Sequence, residues 1–207
     1  DLRRVFDRLG GGDLRIQAIL IAFCFGGLLE ALAGFGAPVA ITATMILALG
    51  VKPLKAAITV LLANTAPVAF GAVAVPITTA GDVGGKDAHV IATIVGHQAP
   101  FLAMLVPLIL LVILDGMKGL KDAWLPALII GVSFAIAQWV TAATPAFNLT
   151  DVVACIVSMG VAVIFLQFWK PRGVEGVRER YGLPAQAEEK EALPAVRVWM
   201  ALLPYVI

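Results

Sequence analysis

Residues 30–38 read Glu30-Ala-Leu-Ala-Gly34-Phe35-Gly36-Ala37-Pro38 and interrupt a long apolar run. Gly34 and Gly36 can adopt a positive φ, and Pro38 cannot continue a helix that began before it. Glu30 is the only charged residue in this apolar run. The stretch therefore predicts a helix that breaks and then restarts, with an acid one turn before the break.

A second apolar run, from about residue 54 to 80, is interrupted in a similar way at residues 64–67. Inside a membrane, irregular backbone survives only where protein or a water-filled cavity satisfies its polar groups. Paired interrupted helices are the sequence sign of a transporter binding site, and helix N-termini bind anions through backbone N–H groups. The alternative is that these glycines and prolines only let helices pack closely. The predicted substrate-binding residues are Gly34, Phe35, Gly36, Ala37, Pro38, Asn64, Thr65, Ala66 and Pro67.

The composition is that of a membrane protein. Of the 207 residues, 60% are hydrophobic and 14% are charged, whereas soluble domains carry about 25% charged residues. We therefore predict an all-α, polytopic integral membrane protein with the lipid bilayer as a partner. The net charge of +1 gives no reason to expect nucleic acid. The chain contains no recognisable catalytic or metal-binding motif, so we expect no enzyme activity, no metal and no organic cofactor.

The order of apolar and polar segments predicts the organisation of the chain. A hairpin over 14–50 and a broken transmembrane helix over 54–80 come first. Because the chain stops inside an apolar run, we expect a longer protein whose remaining transmembrane helices are partners. The other predicted segments are a cytoplasmic lead-in at 1–13, spans at about 96–114, 123–141 and 152–169 (all within a transport region, 14–169), a cytoplasmic loop at 170–197 and a further transmembrane helix starting at 198–207.

The basic residues predict how the hairpin sits in the membrane. If the segment 14–50 returns to the side from which it started, 14 of the 15 basic residues collect on one side, which would be cytoplasmic. This count requires an even number of crossings. Residues 38–49 extend only about 18 Å as a helix, too short for a hydrocarbon core of about 30 Å. We therefore expect a re-entrant hairpin, with two full crossings as the alternative.

Two titratable residues are candidates for proton coupling. Glu30 is an acid inside an apolar helix, and such acids are costly, functional and often proton relays. His97 opens a predicted span, and histidine titrates near neutral pH. The structural alternatives are a hydrogen bond from Glu30 to the break and an interfacial role for His97.

Three segments carry a resemblance to a known family: Gly26-Gly-Leu-Leu-Glu30-Ala-Leu-Ala-Gly34-Phe-Gly-Ala-Pro38, Lys52-Pro-Leu54 and Asn64-Thr-Ala-Pro-Val-Ala-Phe-Gly71. In these segments the chain resembles the L-lactate permease family. The resemblance implies a symporter of the bacterial inner membrane that takes up L-lactate, and the related monocarboxylate glycolate, together with a proton. A sodium-coupled carboxylate transporter is the alternative. A membrane enzyme or an assembly subunit is the alternative from a different class.

Overall fold

The fold comes from a computed structural model, which describes residues 11–34, 36–169, 171 and 173–182. Within these ranges the chain is helical and has no strand. Three helical stretches are long and apolar enough to cross a membrane: Leu14–Ala33, Ala88–Ala142 and Phe147–Phe168. The predicted all-α, polytopic class is therefore confirmed. Phe35, the lead-in before residue 11 and nearly all of the predicted loop and final helix after residue 169 lie outside the described residues, apart from 171 and 173–182.

The first two helices form a hairpin. Helix α1 spans Leu14–Ala33 and α2 spans Ala37–Ala48. Gly36 (φ 73°) is the residue before α2, so the chain reverses where glycine pays no Cβ penalty. The two helices pack closely, because a Cβ added at Gly26 would lie 3.1 Å from Thr42 Cγ2. The sequence pattern around Gly34–Pro38 thus produces the helical hairpin that it predicted.

The second interruption is longer than the sequence suggested. Helices α3 (Pro53–Ala63) and α4 (Gly71–Gly84) are joined by an irregular segment with a short 3-10 turn, and the pair is bent by 58°. The sequence places this interruption at residues 64–67, and in the structure it continues through the 3-10 turn Val68–Phe70. Residues 72–74 have φ of 47°, 56° and 61°, so the regular part of α4 begins only after them. The physical reason is Pro76, whose ring excludes the carbonyl of residue 72 from a continuous right-handed helix.

The next predicted span is also interrupted. Helix α5 (Ala88–Gly96) begins before residue 96, because the Asp87 side chain caps it by accepting a hydrogen bond from the His89 backbone N–H at 2.7 Å. Helices α6 (Ala99–Ala103) and α7 (Val106–Ala142) follow. His97 therefore ends α5 and does not open a span.

Helix α7 reverses direction within its length. Gly116 (φ 65°, ψ −156°) and Ala123 (φ −133°) leave the helical conformation, so the loop predicted around 115–122 is a bend. The chain before α7 packs antiparallel on the part of α7 after the bend, with Gly131 facing the backbone of Met104 and Gly96 of α5 facing Ala142. Small residues allow this close approach, as they do in membrane helix pairs.

Helix α8 (Thr150–Phe168) packs antiparallel on α1. Cys24 Sγ of α1 lies 3.5 Å from Ser158 Oγ of α8. One turn further along each helix, a Cβ added at Gly27 would lie 2.9 Å from Cys155 Sγ. Both cysteines are buried free thiols.

Charged residues gather at one end of the molecule. The fully buried Arg15 at the start of α1 contacts Asp115 Oδ2 at 3.1 Å, and Lys55 at the start of α3 donates to the Leu114 carbonyl at 3.2 Å. Arg180 of the last helix, α9 (Val174–Arg180), reaches Asp115 at 2.8 Å. The α1–α2 hairpin therefore begins and ends at the same end, which agrees with the even number of crossings expected from the charge count. The depth of its turn in a bilayer stays a prediction.

Candidate functional site

The two interrupted segments meet on one face of α1. Residues at spacings of three and four lie on the same face of a helix, and three such residues of α1 contact the segment that joins α3 to α4. We call this surface the break interface. Its residues are Gly27, Glu30 and Gly34 on α1, and Pro67, Gly71 and Ala72 on the opposite segment.

Gly34 makes the tightest contact in the break interface. It is buried and has φ 63° and ψ −165°, a region that only glycine occupies readily. A Cβ added there would lie 2.5 Å from Ala72 Cβ. At the other end of the interface, a Cβ added at Gly27 would lie 3.7 Å from Pro67 Cγ. The absence of side chains on α1 thus lets the two interruptions touch.

Glu30 places a carboxyl group inside the break interface. The residue is 5% exposed, and a Cβ added at Gly71 would lie 3.3 Å from its Oε1 atom. The Oε2 atom is buried and has no hydrogen-bond partner among the described residues. An ionised carboxylate without a partner is costly in such surroundings. The Oε2 atom can therefore accept a hydrogen bond from a donor outside the described residues.

The predicted substrate-binding residues differ in exposure. Gly36 is exposed, and a Cβ added there would meet nothing within 4 Å, so the chain is open to solvent or ligand at this turn. Asn64 is half-buried, while Thr65 is exposed and donates its hydroxyl to the Leu62 carbonyl at 2.6 Å. Pro38, Ala66 and Pro67 are buried. Phe35 and the side chain of Ala37 lie outside the described residues, and the binding role of the whole set stays a prediction.

His97 lies apart from the break interface. It is exposed, its Nδ1 atom is 2.6 Å from the Thr93 carbonyl of its own helix, and its ring packs edge-on against Trp139 at 6.1 Å. These contacts tie His97 to α5 and α7, whereas Glu30 faces the α3–α4 connection. The structure therefore does not bring together the two residues predicted for proton coupling.

The carboxyl group of Asp151 is a buried acid that the sequence pattern did not indicate. Asp151 and Gln138 are both 0% exposed, and Gln138 Nε2 donates to Asp151 Oδ1 at 2.8 Å. The sequence places Asp151 just before a predicted span at 152–169, whereas α8 begins at Thr150. An acid within one turn of a predicted span boundary was the only available signal, because its partner comes from another helix.

The described residues contain no group of three or more His, Cys, Asp or Glu side chains that could hold a metal ion. The candidate site combines glycines at helix interruptions with the acid Glu30, whose Oε2 atom has no hydrogen-bond partner among the described residues.

Comparisons with known proteins identify similar sequences. The family model described as L-lactate permease matches residues 9–207. Glycolate permease GlcA of Escherichia coli is 49% identical over 163 residues, which are 79% of this chain and 29% of that protein. The L-lactate permease of Bacillus subtilis is 42% identical over 201 residues, which are 94% of this chain and 36% of that protein.

A further relative, the L-lactate permease of Escherichia coli, is 45% identical over 159 residues, which are 77% of this chain and 29% of that protein. The chain therefore spans about a third of the length of these curated relatives. No solved structure matches it.

Proposed function

Because the chain belongs to the L-lactate permease family, we propose that it is part of a secondary active transporter of the bacterial inner membrane. The full-length protein takes up L-lactate and related 2-hydroxy monocarboxylates such as glycolate, and a proton is the coupling ion. Transport requires the remaining transmembrane helices, since this chain covers about a third of its relatives.

The observation that carries this proposal is the unpartnered carboxyl of Glu30 at the break interface. Its Oε2 atom is buried and has no hydrogen-bond partner in the part of the chain that the structure describes, next to the contact between two interrupted helical segments. Interrupted helices near the middle of a membrane are where transporters bind substrates and coupling ions. A proton bound at Oε2 removes the cost of a buried charge, so Glu30 is the first candidate for proton coupling.

The proposed binding position of the substrate carboxylate is next to this acid. Helix α2 begins beside the exposed turn at Gly36, and a helix N-terminus offers N–H groups and about half a positive charge to an anion. Asn64 and Thr65 lie at the other interruption and carry polar side chains suited to the hydroxyl of a 2-hydroxy acid. This arrangement needs no arginine or lysine within the apolar helices.

The proposal is tested with the full-length protein in proteoliposomes. Entry of labelled L-lactate is followed under an imposed inward proton gradient, with and without sodium. Glu30→Gln is compared with Asp82→Asn, which makes the same chemical change at an exposed acid of α4. We expect Glu30→Gln to lose gradient-driven accumulation while retaining lactate exchange, and Asp82→Asn to behave as the wild type.

Each other outcome has a defined meaning. Unchanged accumulation in Glu30→Gln would make this acid structural and direct attention to His97. Accumulation that requires sodium at constant pH would replace the proton with sodium as the coupling ion. If the wild type accumulates lactate under neither ion, the proposed substrate or mode of transport is wrong.

A second pair of variants tests the binding role of the first turn. Gly36→Leu fills the exposed turn and should abolish uptake, whereas Gly85→Leu should not. The two glycines are matched, because both have a positive φ (73° and 61°), both are exposed, and an added Cβ meets nothing within 4 Å at either. Equal uptake in both variants, at equal membrane insertion, would contradict a substrate site at this turn.

A further inference from the structure

The buried pair formed by Asp151 and Gln138 is incompletely hydrogen-bonded. One bond joins Gln138 Nε2 to Asp151 Oδ1 at 2.8 Å. The two remaining oxygens, Asp151 Oδ2 and Gln138 Oε1, are buried and have no hydrogen-bond partner among the described residues. Both residues are 0% exposed, and each sits in a helix that belongs to a candidate membrane span.

Helix capping does not account for this acid. Asp151 lies in the first turn of α8, where a carboxylate often accepts bonds from free backbone N–H groups. Here the residue before α8 is Leu149, and no side chain of the described residues caps the helix. Among these residues, the Asp151 carboxyl makes its only hydrogen bond to a different helix. The acid is therefore held toward the interior of the molecule.

A single proton would satisfy both unpartnered oxygens. Bound at Asp151 Oδ2, it makes the acid neutral and supplies a donor for Gln138 Oε1, while Gln138 Nε2 keeps its bond to Oδ1. Without that proton, a buried carboxylate has one neutral donor, and its charge remains uncompensated, which is costly in an apolar interior. The pair thus has the chemistry of a site that binds and releases one proton.

The position of the pair connects it with the break interface. Helices α8 and α1 run antiparallel, with Ser158 near Cys24 and Cys155 at Gly27. One further turn toward the start of α8 leads to Asp151, and one further turn along α1 leads to Ala31 and its neighbour Glu30. Asp151 and Glu30, two of the buried acids of the described chain, therefore lie at similar levels of adjacent helices.

From this geometry we infer that Asp151 is a second proton-binding carboxyl of the transport cycle and that Gln138 is its positioning residue. The inference rests on the proposed function and extends it, because it assigns a proton site that lies on different helices from Glu30. A proton arriving from the end of the molecule that carries residues 143–149 reaches Asp151 within the first turn of α8.

Few other titratable groups face Asp151. Cys155 lies one turn along the same helix, and Cys24 lies beyond it on α1. Glu30 is on the packed face of α1, and His89 lies near the start of α8, where its Nε2 atom is 3.2 Å from the Ala143 carbonyl and its ring is 5.9 Å from Phe147. Of these, His89 is half-buried, and its variant serves as a check on the pH profile.

The test uses the full-length transporter in proteoliposomes. Labelled L-lactate accumulation, lactate exchange at equal concentrations and the accompanying change in internal pH are measured at several external pH values. Asp151→Asn keeps the shape of the acid and can bond to both Gln138 atoms, but it cannot release a proton. Ser158→Ala is the matched control, because it alters a buried polar residue two turns away on the same face of α8.

We expect Asp151→Asn to lose lactate accumulation above the external concentration and the coupled internal pH change, while retaining exchange that no longer depends on pH. Ser158→Ala and His89→Gln should keep the wild-type accumulation and pH profile. Gln138→Met removes the amide that stabilises the ionised carboxylate. It should therefore keep transport but move the pH of half-maximal exchange to a higher value.

Accumulation and a pH profile like those of the wild type in Asp151→Asn would overturn the inference. If that variant fails to insert, an unchanged pH profile in Gln138→Met overturns it equally. If the wild type and Asp151→Asn both accumulate lactate while Glu30→Gln loses accumulation, this inference is refuted and the proposed function stays intact. A wild type without proton-driven accumulation refutes both.

Discussion

Replacing Gly34 with alanine tests whether the two interruptions truly touch. Gly34 has φ 63° and ψ −165°, and an added Cβ would lie 2.5 Å from Ala72 Cβ. Gly116 provides a matched control, because its φ of 65° and ψ of −156° fall in the same conformational region and an added Cβ there meets nothing within 4 Å. The two alanine variants therefore share a backbone cost and differ in the contact with Ala72.

The expected magnitudes follow from these two terms. A residue other than glycine in this region of φ and ψ costs about 1–3 kcal/mol, which is the full expected cost of Gly116→Ala. Forcing an extra methyl group into a packed contact adds about 1–3 kcal/mol. Gly34→Ala should therefore lower the free energy of unfolding by about 2–6 kcal/mol, and its excess over Gly116→Ala measures the contact at the break interface.

The assay is denaturant unfolding of the full-length protein in detergent micelles, with both variants measured under the same conditions. Ala72→Gly in the Gly34→Ala background should restore part of the excess, because it removes one of the two clashing methyl groups. Ala72 has a φ of 47°, so glycine also suits its backbone. Equal destabilisation by Gly34→Ala and Gly116→Ala, with no rescue by Ala72→Gly, would refute the contact between the two interruptions.

Three further predictions concern the charged end and the packed interior. Arg15 is 0% exposed and forms ion pairs with three aspartates, so Arg15→Met should lower the free energy of unfolding by about 3–5 kcal/mol. Removal of the exposed Arg180 should lower it by under about 1 kcal/mol. Equal losses for the two variants, measured by unfolding in micelles, would contradict the prediction for Arg15. Burial and the nearby carboxylate of Asp115 raise the pKa of Tyr181 above 10. Stability should therefore fall as pH rises from about 10, the pKa of tyrosine in the unfolded chain, through the raised value, and level off above it. Tyr181→Phe should lack this fall in unfolding measured across alkaline pH. Cys24 is a buried thiol and should react with a maleimide only after unfolding. Mass spectrometry would detect the added maleimide. Rapid labelling of the native protein would argue against the packing of α1 on α8.

The sequence predicted those parts of the fold that depend on local chemistry. Apolar length gave the membrane class, and the positive φ available to Gly34 and Gly36 gave the first hairpin. Prediction from the sequence failed where a residue later in the chain determines the backbone conformation of an earlier residue. Pro76 prevents a regular helix through residue 72, so the second interruption extends well beyond Pro67.

The candidate site was predictable only in part for the same reason. Glu30 stands out because it is a charge in the middle of an apolar run, and the structure buries it at the contact between the interruptions. Asp151 lies near the end of such a run, where an acid is ordinarily solvated. Its burial depends on Gln138, which comes from α7, and no local pattern encodes that pairing.

If a proton on Glu30 couples transport, as proposed above, the packing around α1 connects that side chain with several helices. Gly27 lies against both Cys155 of α8 and Pro67 of the α3–α4 connection, and Gly34 lies against Ala72. Packed interiors respond to strain by switching between arrangements rather than by gradual compression. Glu30 lies between these two contacts, with its Oε1 atom close to Gly71, so a change in its charge would act on both contacts. Movement of the helices as bodies is the expected response, and alternating access requires such movement.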